Sequence, residues 1–208
     1  MARTGTCRGR GGAGQRRLMR ARRHHRGAIA VDDSAGTPLT QTPAGRFLRL
    51  LVATGTGARD PVDLTALIKD PALAEAIAAS DGRPARLFEL AVLRDAAVVP
   101  AAGELEAAAR RAHNQVWRNR HAPATVVAMQ PDDWASVEAL ARHVDRACAP
   151  LVRLAAAGGT VALGAAIAAL RQSVALALAD PDGDRLAAMC GGRELIGLFD
   201  SFDGLDPR

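Results

Sequence analysis

Leu163, Ile167, Leu170, Val174 and Leu178 recur at offsets of 4, 3, 4 and 4, which lays one apolar stripe along a helix. Upstream, Trp134, Val137, Ala141, Val144, Cys148 and Leu151 alternate spacings of 3 and 4 in the same way. Glu138 and Arg142 fall one turn apart on another face of that segment and predict an ion pair within the helix. Pro150 interrupts the second pattern, and its ring is expected to kink or end the helix near Ala149.

Punctuation extends the helical reading to the rest of the chain. Thr42-Pro43, Asp60-Pro61 and Asp70-Pro71 each set a capping side chain before a proline at the first helical position. Together these signals predict helices at about 43–53, 61–69, 71–79, 84–97, 103–120, 132–156, 160–179 and 193–199. The one strand-like segment is TVVAM at 125–129, too little for a sheet. The expected fold class is all-α: a single helical-bundle domain of seven to eight helices over 42–208, preceded by an arm and linker at 1–41.

Residues 154–170 carry no charge between Arg153 and Arg171. They are rich in Ala and Gly, whereas a bilayer span needs about 20 strongly apolar residues. The pair Gly158-Gly159 reads instead as the turn of a buried helical hairpin, and no membrane partner is expected.

Charge changes the picture at the N-terminus. Residues 1–26 hold nine arginines, two histidines and no carboxylate, which predicts a disordered basic arm. The remaining residues have 18 basic against 22 acidic groups, a net of about −4. So the overall +5 describes an appendage on a mildly acidic body. The single lysine, Lys69, against 26 arginines is the mark of a GC-rich genome. That bias also allows for a start at Met19 or near Val31, in which case part of the arm would not belong to the protein. QRRLMR is followed by charge where an export signal needs an apolar run, so a cytoplasmic location is expected. Four Phe, two Trp and no Tyr leave Leu, Val, Ile and Ala to build the core.

The familiar chemical motifs fail on their details. Gly9, Gly11 and Gly14 match GxGxxG but lack the preceding strand that would bring phosphate to a helix N-terminus. Asp180, Asp182 and Asp184 have calcium-loop spacing, yet Arg185 stands where glycine is required and Gly191 where glutamate is required. A turn with a helix cap is the better reading. The three cysteines, Cys7, Cys148 and Cys190, and the dispersed histidines lack metal-ligand spacing, so no metal or cofactor is expected. Cys148 belongs to the apolar stripe, while Cys190, before GGRELIG, is the best reactive-thiol candidate.

RRAHNQVWRNRH at 110–121 is the most unusual stretch of the body. Arg110, Arg111, Arg118 and Arg120 surround Trp117, with His113 and His121 about one turn to either side. Exposed, such a surface would stack a base or grip phosphate. The plainer alternative, and the favoured one, is a helix end with Trp117 buried among solvated arginines.

The stretch from Gly164, in which Arg185, Leu186, Cys190, Phe199 and Asp200 stand out, resembles part of a known family. It is similar to the junction between the helical ABATE domain and the zinc motif of bacterial CGNR-type transcription regulators. RLLVATGTGARDPVDLTALI and the asparagine of RRAHNQ look like the same domain. The resemblance implies a helical regulatory domain. The family's second cysteine would fall near Leu195, which binds no metal, so the zinc module does not carry over.

Two function classes follow. One is a non-enzymatic regulatory or binding protein whose arm, through Arg16, Arg17, Arg20, Arg22, Arg23 and Arg26, contacts nucleic acid. The other is a helical enzyme or small-ligand-binding domain. Its site would be assembled from distant residues, with Cys190, His113 and His143 as candidates and no spacing that supports a named reaction.

Overall fold

A computed structural model of the chain describes residues 37–57, 60–77, 81–94, 96 and 98–202. These residues form an all-α domain of ten helices with no strand. The arginines of the arm, Cys7 and the glycines at 9, 11 and 14 lie outside the described residues.

The three Pro-marked starts fold as their caps dictate. α1 (Pro43–Gly55), α2 (Pro61–Ile68) and α3 (Pro71–Ala76) each begin with proline, whose missing N–H costs nothing there. Thr42 Oγ1 accepts from Gly45 N at 3.1 Å, Asp60 Oδ1 from Val62 N at 2.7 Å and Asp70 Oδ1 from Ala72 N at 2.9 Å.

α4 (Arg83–Phe88) does not run to 97 as an α-helix. It widens into a π-helical segment, Glu89–Leu93, and ends at Arg94. Hydrophobic spacing marks which face is buried and cannot register the one extra residue in each hydrogen-bonded loop that distinguishes π from α, as in the bond from Arg94 N to Glu89 O. α5 (Leu105–Gln115) tightens into a 3-10 turn at Val116–Arg118 rather than continuing to 120. TVVAM is not a strand. Ala124–Val127 forms the single turn α6, because a segment with no neighbouring strand must close its backbone bonds on itself. Ala128 N accordingly donates to Ala124 O at 3.0 Å.

α7 (Pro131–Ala156) is the spine of the bundle and packs against α8 (Leu163–Leu178), α5, α4 and α1. Its predicted stripe is buried at every position, from Trp134 to Leu151. The helix does not end at Pro150. That proline is itself buried among Ala147, Cys148 and Leu151, and packing on both sides outweighs the one hydrogen bond it removes. The turn after α7 has Gly158 and Gly159 at φ 63° and 71°, as a tight helix–helix connection needs.

The expected hairpin is present, but its tip is not buried. Leu163 is exposed, Ile167 and Leu170 are half-buried, and only Val174 and Leu178 of the α8 stripe reach the core. A periodic stripe identifies a face of a helix and leaves its depth undetermined. Among the described residues no helix is long and apolar enough to cross a membrane. α9 (Asp184–Ala188) and α10 (Gly192–Asp200) close the domain, α10 returning to pack on α1.

Candidate functional site

The two faces of α5 carry different chemistry. Glu106, Arg110 and His113 face α7 and join a charged belt across the contact. Glu106 Oε1 accepts from Arg110 at 2.6 Å and from Arg142 Nε at 3.0 Å. Glu138 reaches Arg110 Nε at 3.6 Å and His113 Nδ1 at 3.1 Å. The Glu138–Arg142 pair expected within α7 is therefore replaced by pairs between helices, since α5 offers closer opposite charges to both. His113 also stacks on Trp134, with ring centroids 4.6 Å apart and planes 2° from parallel. The Arg142 guanidinium beside Glu106 holds that carboxyl below its ordinary range. Its contribution to stability is thus present above that range and lost as pH falls below it, through the lowered value of the folded state.

The opposite face of α5 lines a cleft of about 620 Å³. Ala108, Ala112 and Val116 form one wall, and Leu90, Val92 and Val98 come from the π segment and the loop after it. Arg111 and Arg118 border the cleft, and their side chains make neither an ion pair nor a hydrogen bond to any described residue. Glu104 lies along the same face, its Oε2 accepting from Ala101 N at 3.1 Å.

A side chain of α7 fixes where this helix begins. Asp145 Oδ1 accepts from Gly103 N at 2.6 Å and Leu105 N at 3.3 Å, and Oδ2 accepts from Glu106 N at 2.9 Å. It caps α5 across 40 residues of sequence, where no sequence-local capping signal exists. Burial pushes the Asp145 carboxyl above its ordinary range, opposed by these backbone N–H groups.

The basic–aromatic stretch is therefore split. Arg110 belongs to the belt against α7, whereas Arg111 and Arg118 border the cleft. Trp117 is not buried, contrary to the favoured expectation. It is 79% exposed, because the 3-10 turn makes Val116, not Trp117, the residue that faces the core. Arg120 and His121 are exposed, and His121 N donates to Asn119 Oδ1 at 2.9 Å.

His113, His143 and Cys190 are not brought into one site. His113 sits between α5 and α7, and His143 Nε2 donates to Ala177 O at 2.8 Å between α7 and α8. Cys190 is exposed in the turn before α10, where its carbonyl accepts from Ala44 N at 3.2 Å. The DPDGDR segment is a capped turn: Asp180 Oδ2 accepts from Arg185 N at 2.7 Å. Leu195 is buried in the core. Among the described residues no group of three His, Cys, Asp or Glu could hold a metal.

The two described thiols should differ sharply in reactivity. Cys148 is wholly buried, and burial with Asp145 nearby pushes its thiol up to about 12. Iodoacetamide on the native protein, followed by peptide mapping, should label Cys190 and reach Cys148 roughly a hundredfold or more slowly, only as the fold opens. Equal labelling of the two would contradict this packing.

The cleft would have been visible in sequence only as Glu104, Ala108, Arg111, Gln115 and Arg118 at offsets of 4, 3, 4 and 3. Small and polar residues at that spacing read as a solvated face. Comparison with protein-family models, curated proteins and solved structures finds no match to this chain.

Proposed function

We propose that this is a non-enzymatic regulatory or binding protein that associates with nucleic acid through its arginine arm. The observation that carries the reading is charge segregation: nine arginines without a carboxylate in residues 1–26, against a net of about −4 in the remainder. Each arginine that meets a phosphate releases a condensed counterion, so the attraction is electrostatic and indifferent to sequence. Part of the body's positive charge is already neutralised within the domain, which leaves the exposed Arg111, Trp117, Arg118 and Arg120 as its basic–aromatic surface. Lys69, Arg83, Arg94, Arg110, Arg142 and Arg171 are each committed to a carboxylate of the same chain. The resemblance to a helical regulatory domain supports the regulatory half of this reading, while nucleic-acid contact rests on the arm alone.

The test is a gel-shift series at rising salt with the full chain and a variant in which Arg16, Arg17, Arg20, Arg22, Arg23 and Arg26 are glutamine. The full chain should bind with a steep salt dependence. In the variant the slope of log affinity against log salt should be shallower by about 0.9 for each duplex phosphate that is no longer neutralised. Equal binding by both proteins would end the proposal.

A further inference from the structure

We propose that the cleft on the outer face of α5 binds a small amphipathic acid, a carboxylate-bearing molecule with an aliphatic body. This goes beyond the arm and does not depend on it. The cleft volume of about 620 Å³ lies within the roughly 300–1,000 Å³ of small-molecule sites. On the α5 side Ala108 and Ala112 have short side chains, which leave room above the helix and present only methyl groups. Leu90, Val92, Val98 and Pro100 supply the facing apolar surface. Val98 is 67% exposed, so this surface lacks a cover from the described residues.

The charge pattern selects the head group. Arg111 lies in α5 and Arg118 at the end of the 3-10 turn that follows it, so both border the cleft on its α5 side. Neither meets a carboxylate, although the basic groups of the α5–α7 belt do. The cleft is mixed in character, with Glu104, Gln115 and Asn119 beside the apolar residues, and two guanidinium groups against the one carboxylate of Glu104 leave it net positive, which favours an anion whose carboxylate matches their planar forks. None of the lining residues is aromatic, so the trough lacks the stacking faces that a nucleobase uses. An aliphatic body on the alanines with its acid at the arginines satisfies both halves. The π-helical segment that forms the facing wall is an independent sign, since such segments cluster at functional sites.

Sodium decanoate is the probe, with 1-decanol as the neutral molecule of equal chain length. Both are titrated into the full-length protein by calorimetry and by tryptophan emission, Trp117 lying between two lining residues. Decanoate should bind more tightly than decanol and weaken as salt is raised. The double variant Arg111→Gln, Arg118→Gln should lose tenfold or more in decanoate affinity and keep its affinity for decanol. The arm variant with glutamine at Arg16, Arg17, Arg20, Arg22, Arg23 and Arg26 keeps both cleft arginines and should bind decanoate as the full chain does, so its decanoate affinity separates failure here from failure of the nucleic-acid reading. Absence of decanoate binding, equal binding of the two probes, or an unaffected double variant would overturn the assignment. So would a dimer that dissociates in the double variant, because a second copy would then be what fills the cleft.

Discussion

Gly191→Ala should lower the unfolding free energy by about 3–5 kcal/mol, the sum of a backbone penalty, a steric one and a damaged cap. Gly191 holds φ 84° and ψ 1° at the start of α10, where an L side chain is strained. An added Cβ would also overlap Thr42, coming within 2.9 Å of its Cγ2 and closer still to Cβ and Oγ1. Thr42 cannot give way freely, because its hydroxyl donates to Leu39 O at 2.6 Å while accepting from Gly45 N. The substitution therefore attacks the cap of α1 and the Ala44–Cys190 backbone bond together.

Gly183 supplies the control. Its φ of 82° and ψ of 10° are almost the same, yet an added Cβ there meets nothing within 4 Å. Gly183→Ala should cost only the backbone part, about 1–2 kcal/mol. Urea unfolding of both variants reads the difference. Equal losses would mean that the α10–α1 contact has no energetic weight.

The second large effect is expected at Asp145. Asp145→Ala should cost about 2–3 kcal/mol, because it strips the acceptor from three N–H groups at the start of α5. Asp145→Asn keeps the shape but turns an amide N–H toward one of those donors, and should recover only part of the loss. Both variants should show faster amide exchange at Leu105 and Glu106 than at the centre of α7, since the damage is local to one helix end. A change below about 0.5 kcal/mol in Asp145→Ala would show that solvent caps α5 equally well.

The legible parts of the fold were those written within one helical turn. Thr42, Asp60 and Asp70 announced their helices because a cap is a contact over two or three residues. The Trp134–Leu151 stripe announced α7 because burial of one face needs only periodicity. What failed involved a second element. Glu138 and Arg142 looked paired with each other until α5 brought Glu106, Arg110 and His113 within reach. TVVAM looked like a strand until no strand stood beside it. Pro150 looked terminal until its neighbours proved buried.

Trp117 carries the same lesson for the candidate site. Its neighbours in sequence could not say whether it faced the core, because that depends on a 3-10 turn that shifts the register by a fraction of a residue. The cleft was invisible for a related reason: alanines and arginines on a helix read as solvent-facing until a second segment stands opposite them.

By itself, then, the sequence determined the all-helical class, the proline-marked starts of α1, α2 and α3, the buried face of α7 and the separation of charge between arm and body. These follow from backbone capping, side-chain periodicity and composition, all of which act along the chain. Only the tertiary structure decided which charges neutralise each other, that Asp145 begins a helix 40 residues away, and that Arg111 and Arg118 border a cleft of mixed polar and apolar lining. Those outcomes depend on distances between segments, and no local pattern encodes a distance.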